Sequence, residues 1–264
     1  MVFLSFDVKE FDVPLGKNTA YSPLKEGVDI SNYGLKVILG ILNEFDIKAT
    51  FFCTADFVKS SPDTIQNIIK DGHEIASHGV SHFRTKGTDP TISKQRIESI
   101  VKTSVLGYRQ PRMGIIDTNI LMISGYNYNA SINPTLIPGR YNHLNSRRLP
   151  YKEGRIIHIP ASVTPVFRIP VFWLSLHLFP VWFYLLLCKT ILLIDKNLNT
   201  YFHPWEFYPL GSLKDLKLSP FITHNTGHRM EKRFRRLISY LAKHGNQFGT
   251  YSDYCRIINC LNND

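Results

Sequence analysis

Cysteine is scarce, and the four present form no CxxC pair; they are Cys53, Cys188, Cys255 and Cys260. This spacing excludes the usual cysteine zinc motifs and a disulfide framework. A secretory leader is also not expected, because the start carries no positive charge and the first apolar run is interrupted by Asp7. The two absences together favour a reducing, cytoplasmic location.

Acidic residues are few relative to basic ones: 21 Asp and Glu stand against 31 Lys and Arg, which gives a net charge of +10. Such a surplus favours anionic surroundings, such as a phosphate-bearing substrate, a lipid surface or nucleic acid, although it also serves solubility. The basic residues near the C-terminus occupy the solvated face of a predicted helix, 230–244. With no recognition motif, nucleic acid is not expected as a partner.

Internal repeats and low-complexity linkers are absent as well, so the 264 residues predict one α/β domain. Strands and helices alternate, as is typical of parallel β/α units. The predicted strands are residues 2–8, 48–53, 73–77, 126–131, 155–159, 198–203 and 247–250. The predicted helices are residues 31–45, 62–70, 92–102 and 230–244.

One hydrophobic stretch, residues 167–194, departs from this alternation. It is almost as long as a membrane span, but Arg168, His177, Lys189 and two prolines interrupt it, so a span is not expected. Its aromatic residues favour an interface. Two interpretations stay open: a helix from Pro180 that lies on a bilayer surface, or a helix that covers the sheet.

Charged residues follow the first predicted strand directly. Ser5, Asp7 and Lys9 share one face of it, because side chains alternate along a strand. In parallel β/α folds, chemistry gathers where the strands end, and a carboxylate there can act as a base or bind a metal. Asp7 is therefore a candidate site residue, although such an acid is more often only a polar strand end.

Two histidines follow another predicted strand. His78 and His82 are four residues apart, a spacing that places both imidazoles on one side of a helical turn and is used for zinc. The pair alone is a weak signal, because the spacing often arises by chance. Its place after a strand end favours a functional interpretation.

Arginine and histidine candidates occur further along. Arg109 and Arg112 flank Pro111, and such arginines can keep a catalytic carboxylate ionised or can simply be surface charge. His203 ends a late strand before a proline, where it could be a general acid or a core histidine. Trp205 could stack on the apolar face of a sugar ring.

Four motifs in this order resemble the polysaccharide deacetylase family, the family-four carbohydrate esterases: KATFFC (48–53), SHGVSH (77–82), GYRQPR (107–112) and the late strand-end His203. The similarity runs from Phe3 to about Tyr251, and segments 131–143 and 159–165 resemble a bacterial sub-group associated with surface-polysaccharide gene clusters. The resemblance implies a distorted (β/α)7 barrel of a single domain, with residues 167–194 as a hydrophobic insertion.

The resemblance also implies an activity, the metal-assisted hydrolysis of an N-acetyl, sometimes O-acetyl, group on a sugar. Asp7 would be the base, Arg109 would orient it, and His203 would protonate the departing amine. His78 and His82 would bind zinc or a similar cation. The candidates for substrate binding are Lys9, Arg112, Trp205, Asn129, Arg140 and Tyr141.

The sequence breaks the family pattern at the metal site. Val8 stands where a second aspartate is expected, and Lys9 stands where some relatives carry the next acid. A protonated lysine has no acceptor for a cation. Three alternatives follow: Glu10 completes the metal site, Lys9 itself supplies the positive charge, or catalysis is lost and only a sugar pocket remains.

The leading prediction is an N-deacetylase for a saccharide of a surface polysaccharide or its lipid-linked oligosaccharide precursor, peripheral at the inner membrane face. The alternative is a catalytically impaired glycan or glycolipid binding protein on the same fold. Lys9 is the residue that favours this alternative.

Overall fold

The computed structural model describes residues 1–12, 24–82, 89–139, 141–213 and 218–261. Its strands are β1 (Val2–Val8), β2 (Thr50–Cys53), β3 (Glu74–Ser77), β4 (Gly107–Tyr108), β5 (Tyr128–Asn129), β6 (Leu136–Ile137), β7 (Tyr141–Asn142), β8 (Tyr151–Glu153), β9 (Ile156–His158), β10 (Leu198–Phe202) and β11 (Phe248–Gly249). Its α-helices are α1 (Leu24–Glu44), α2 (Ala55–Ser60), α3 (Pro62–Lys70), α4 (Asp89–Val101), α5 (Thr118–Ile123), α6 (Trp173–Leu178), α7 (Val181–Asp195), α8 (Pro220–Thr223), α9 (His228–Lys243) and α10 (Tyr251–Leu261).

The main sheet is built around β1. Its strands lie in the order β10-β1-β2-β3-β4-β5-β9-β8, and β11 pairs with the start of β1. Neighbouring strands run parallel except β8, which is antiparallel to β9. All seven residues of β1 are buried, which agrees with its nearly continuous apolar sequence, since a strand covered on both faces has little need of alternation. The parallel order brings the ends of β1, β3, β4 and β10 to one edge.

A short segment after β9 connects the far side of the sheet to β10. Ser162 donates its backbone N–H to the carbonyl oxygen of Asn199 (2.9 Å), and the backbone N–H of Asn199 donates to Ser162 Oγ (2.9 Å). The side-chain amide of Asn199 donates to the carbonyl of Pro160 (3.1 Å). These bonds hold the segment after β9 against β10, and the described strands form an incomplete barrel, in agreement with the fold that the resemblance implies.

The boundaries of helices and strands differ from the predicted ones where the hydrophobic pattern of the sequence is weak or a glycine interrupts it. The predicted helix 31–45 is α1 and begins already at Leu24, although Gly27 lies in its first turns. Gly27 is required there by packing: a Cβ on it would lie 2.8 Å from the backbone oxygen of Phe11, and its own carbonyl accepts the Phe11 N–H. Short elements such as α2 and α5, and the β6–β7 hairpin, carry too few residues to show a hydrophobic period.

The hydrophobic stretch 167–194 forms α6 and most of α7. Along α7, Tyr184, Leu187, Cys188 and Ile191 are buried against the sheet and α9, and Tyr184 Oη lies 3.0 Å from Thr200 Oγ1 on β10. The opposite side is exposed. We call the side chains of Trp182, Leu186, Leu193 and Ile194 the outer face of α7; they are 69, 50, 62 and 57% exposed.

The structure supports the second interpretation, a helix that covers the sheet, and contact with a bilayer stays a prediction. The buried face covers the sheet, and the outer face leaves an apolar surface toward solvent. Among the described residues, no helix combines the length and the hydropathy that a membrane crossing requires.

The turn after β10 rests on α1 through a glycine. Residues Pro204–Phe207 form a 3-10 turn, and a Cβ on Gly34 of α1 would lie only 1.8 Å from the carbonyl oxygen of Pro204. The contact is with backbone, so it cannot be relieved by a side-chain rotation. Gly34 therefore sets how closely α1 approaches the turn that carries His203.

Gly34→Ala is expected to lower the free energy of unfolding by about 1–3 kcal/mol, because the added methyl group forces α1 away from the turn. Gly40→Ala is the matched control in the same helix. Gly40 is exposed and a Cβ on it meets nothing within 4 Å, so this change is expected to stabilise by about 0.5–1 kcal/mol. Urea unfolding measures both, and equal effects of the two variants would contradict the assigned packing.

Candidate active site

A buried ion pair joins the ends of β1 and β4. Asp7, near the end of β1, accepts a 2.6 Å hydrogen bond on Oδ1 from Nη1 of Arg109, the residue that follows β4. Asp7 is 4% exposed and Arg109 1%. Because β1 and β4 are separated by two strands in the sheet, the pair spans the inside of its curve.

The guanidinium of Arg109 is fixed by several further contacts. Nη2 donates to Ser5 Oγ (3.0 Å) and to Tyr251 Oη (3.2 Å), and Nε donates to the carbonyl of Ala130 (3.1 Å). Its carbon lies 4.0 Å from the centre of the Phe52 ring, a cation–π contact. A planar guanidinium held on three sides can present one edge to Asp7 with little freedom.

The electrostatics of this pair keep Asp7 ionised. Burial by itself would raise the pKa of Asp7, but the positive charge of Arg109, supported by its hydrogen bond, outweighs burial and holds the pKa at about 2. Asp7 is therefore a carboxylate at every physiological pH, as a general base must be.

His203 faces the same carboxylate. Its Nε2 lies 3.9 Å from Asp7 Oδ2, and its Nδ1 lies 3.0 Å from Glu206 Oε1, which also accepts the backbone N–H of His203 (2.6 Å). Burial lowers the pKa of His203 to about 3, with Asp7 opposing this shift, so the imidazole is neutral at pH 7. Burial raises the pKa of Glu206. A neutral imidazole can accept a proton on one nitrogen and pass it on, and it carries no net charge before it does so.

Glu206 was not among the sequence candidates. The signal that could have found it is the acid three residues after His203, a spacing that closes a capping box on a single helical turn.

Trp205 is a correction to the predicted substrate contacts. It is 3% exposed, and its ring stacks on His203 with 5.4 Å between centroids and packs against Phe11 and Trp173. A sugar therefore has no access to its face. Trp205 instead fixes the plane of the His203 imidazole.

The predicted histidine pair lies beside Arg109. His78 Nδ1 lies 2.9 Å from the carbonyl oxygen of Arg109, to which it donates as a neutral ring, so Nε2 keeps its lone pair. Burial lowers the pKa of His78 to about 4. The ring centroids of His78 and His82 are 5.7 Å apart. The structure thus brings both histidines to the edge that carries Asp7.

Lys9 lies among these groups as a buried cation. Its Nζ donates to Asp12 Oδ1 at 2.5 Å and lies 3.0 Å from Nδ1 of His82. His82 Nδ1 is in turn 2.6 Å from Asp12 Oδ2. Burial would raise the pKa of Asp12, but the charge of Lys9 and the contact with His82 outweigh it and lower that pKa. Asp12, another acid that sequence reasoning did not select, anchors the ammonium.

These residues do not fit the predicted zinc site. Among the described residues, no group of three or more His, Cys, Asp or Glu side chains is placed to hold a metal ion. The expected set of His78, His82 and Glu10 is not assembled, and Glu10 is a partly buried carboxyl whose pKa burial raises. The Lys9 ammonium, which repels cations, lies against His82 instead.

The remaining candidates lie at different places. Arg112 is exposed. Burial lowers the pKa of His82, and the charges of Lys9 and Arg112 add to this effect. Tyr141 Oη accepts a hydrogen bond from Asn133 (2.9 Å). Arg140 lies outside the described residues.

Asn129 faces a separate cavity. It is buried, its Nδ2 lies 3.2 Å from His158 Nδ1, and its Oδ1 accepts from Ser131 Oγ. With His158 and Ser131 it lines a cavity of about 400 Å³.

The comparison with known sequences gives local matches. The sequence model of the polysaccharide deacetylase family matches residues 26–118, which include His78, His82 and Arg109. An uncharacterized 30.6 kDa protein of Geobacillus stearothermophilus is 40% identical over 45 residues, 17% of either chain. A chitooligosaccharide deacetylase of Bradyrhizobium is 33% identical over 45 residues, 17% of this chain and 20% of that protein. The aligned parts thus span about a fifth of these relatives.

The comparison with solved structures covers nearly the whole chain. A Mycobacterium smegmatis protein described as a polysaccharide deacetylase superposes with a TM-score of 0.67 at 18% identity, covering 99% of this chain and 90% of that one. A family-four carbohydrate esterase pseudoenzyme from Bacillus anthracis has a TM-score of 0.54 at 14% identity, covering 97% and 65%. The predicted fold is confirmed by these superpositions. The chain thus resembles the polysaccharide deacetylase family as its motifs predict, in sequence over residues 26–118 and in fold over nearly its whole length.

Proposed function

We propose that this protein is a carbohydrate deacetylase that hydrolyses an N-acetyl group on a saccharide. The observation that carries the proposal is the arrangement of Asp7, Arg109 and His203: an ionised carboxylate held by a fixed guanidinium and faced by a neutral imidazole. The chitooligosaccharide deacetylase among the relatives supports the substrate class.

The proposed reaction uses these residues in one proton circuit. Asp7 takes a proton from a water molecule, whose oxygen bonds to the acetyl carbonyl carbon while the carbonyl electron pair moves onto oxygen. When the tetrahedral species collapses, the C–N bond breaks and the nitrogen takes up a proton. That proton is the one removed from water, and His203, 3.9 Å from Asp7, is placed to relay it. Acetic acid, which loses its remaining proton to solvent and becomes acetate, and a free amino sugar are the products.

The cost of burying Asp7 and Arg109 supports a functional role for them. Removing two charges from water costs several kcal/mol per ion, and a buried pair is often no better for stability than apolar residues of similar volume. A pair only 1 and 4% exposed, at the sheet edge where parallel β/α folds carry their chemistry, is better explained by catalysis than by stability.

A second candidate is a glycan binding protein on the same fold without catalysis. The specific observation that favours it is Lys9, a buried cation paired with Asp12 at the position where some relatives carry an acid. The fold also occurs in the Bacillus anthracis pseudoenzyme. A protein that has lost one catalytic group can still bind a sugar, because binding depends on other contacts.

The proposal extends to a lipid-linked saccharide of a surface polysaccharide, processed at the inner face of a membrane. The outer face of α7 is apolar, and Lys189 and Lys196 are exposed on and just after the same helix. Apolar side chains with flanking lysines suit an anionic bilayer surface, and so does a net charge of +10.

Asp7→Asn is expected to reduce acetate release from an acetylated chito-oligosaccharide at least 100-fold, because the amide cannot take a proton from water. The matched control is Asp63→Asn, an exposed acid on α3, which is expected to leave the rate unchanged. Circular dichroism and thermal unfolding establish that both variants are folded. Acetate release by Asp7→Asn within a few-fold of the wild type would leave the binding protein as the better explanation.

The neutral state of His203 predicts a pH dependence of stability. Its pKa is about 3 in the folded chain and about 6.5 when unfolded, so the unfolded state binds more protons as pH falls below 6.5 and stability is lost. Between pH 7 and pH 5 the wild type should lose about 1–2 kcal/mol more free energy of unfolding than His203→Gln. Urea titrations at both pH values measure this, and equal losses would show that His203 is not held neutral.

Replacing Trp182 and Leu186 together by serine is expected to reduce co-sedimentation with phosphatidylglycerol vesicles, because it removes apolar area from the outer face of α7. Ile123→Ser, at an exposed position on α5, is the control and should leave binding unchanged. Equal vesicle binding by the wild type and the double variant would contradict the membrane proposal.

A further inference from the structure

We propose that the Lys9 ammonium takes the place of a metal ion in this site and donates a hydrogen bond to the carbonyl oxygen of the acyl group. The inference rests on the proposed function and adds a substrate-contacting residue to it. In this proposal a cation of the chain itself, the Lys9 ammonium, does what the predicted zinc ion on His78 and His82 would do.

The position of Lys9 is the first argument. Lys9 follows β1 directly, two residues after Asp7, and its side chain is drawn inward to reach Asp12 and His82. Its backbone carbonyl accepts a 2.6 Å hydrogen bond from Ser31 Oγ of α1, which fixes where the side chain starts. The charge therefore lies at the same sheet edge as the base, and a substrate acyl group that contacts Asp7 comes close to it.

The burial of Lys9 is the second argument. Lysine is almost never fully buried unless paired, and Lys9 is only 4% exposed. Asp12 compensates the charge and is itself buried, at 6% exposed. A long side chain would gain more by extending into solvent, so its retention inside the site, with a dedicated carboxylate, indicates that the position of the charge matters.

The hydrogen-bonding capacity of an ammonium is the third argument. An ammonium has three N–H groups. The nitrogen of Lys9 has two polar partners, Asp12 Oδ1 and His82 Nδ1. In the proposal the remaining N–H is the donor for an oxygen of the substrate. In hydrolysis the carbonyl oxygen gains negative charge, and a cation fixed beforehand stabilises that charge without rearranging. No proton leaves Lys9 in this role.

The Lys9 ammonium also disfavours a zinc ion on His82, because a second cation beside it would be repelled. Nδ1 of His82 lies close to both Lys9 and Asp12. Among the described residues, the two histidines are joined by no third His, Cys, Asp or Glu side chain placed to hold a metal ion.

The test is a zinc titration of the purified full-length chain by calorimetry, with metal content measured after dialysis. The wild type and Lys9→Met are expected to bind no stoichiometric zinc. Lys9→Asp removes the ammonium and supplies a carboxylate, so it is expected to bind one zinc ion per chain, which a further His78→Ala change abolishes. One zinc ion per wild-type chain, lost on His82→Ala, would overturn the proposal. Absence of zinc in a folded Lys9→Asp variant would also overturn it.

Activity provides the second readout and separates the two proposals. Wild-type acetate release should be unchanged by EDTA, and Lys9→Met, folded by thermal unfolding, should lose at least 100-fold. If the wild type and Lys9→Met release acetate at equal rates, the proposed role of Lys9 is overturned, but the proposed deacetylase activity stands. A wild type without acetate release overturns the proposed function, whereas the zinc titration still decides whether Lys9 holds the place of the metal.

Discussion

The buried ion pair between Asp7 and Arg109 is the interaction on which the rest of the site depends. It joins the end of β1 to the loop after β4, across the curve of the sheet. The arginine also binds Ser5, Tyr251 and the carbonyl of Ala130, so one guanidinium connects the first strand, the last helix and the loop after β5. Without that charge, burial would raise the pKa of Asp7 and favour its neutral form.

A second charged cluster is built two residues further along the same chain. Lys9, Asp12 and His82 place a buried cation at the position where, by the sequence resemblance, some relatives carry an acid. In the proposed reaction the two clusters have different roles: one supplies a carboxylate that takes a proton, and the other supplies a positive charge that an oxygen can contact. Asp7 lies on β1 and Lys9 follows two residues later, so both side chains point to the same side at one edge of the sheet.

The position of His203, the third residue of the proposed site, depends on packing contacts away from the two charged clusters. The turn with His203 sits against α1 because Gly34 lets the helix approach the carbonyl of Pro204, and Trp205 fills the space behind the imidazole. Glu206 closes the same turn through the backbone and ring of His203. The imidazole is therefore held by a helix, a stacked ring and a carboxyl, and its distance to Asp7 follows from these contacts.

The sequence alone determined the alternation of strands and helices, the limits of β1 and α3, and the order of motifs that brings Asp7, His78, Arg109 and His203 to one edge, because hydrophobic period and strand ends are local properties. Only the tertiary structure decided what surrounds Lys9. The inward path of its side chain and its contacts with Asp12 and His82 do not follow from sequence spacing, because His82 is distant in the chain. A buried charge is tolerated only when it is paired, and folding brings these partners to it. The burial of Trp205 was likewise set by α1 and α6, elements remote from it in sequence.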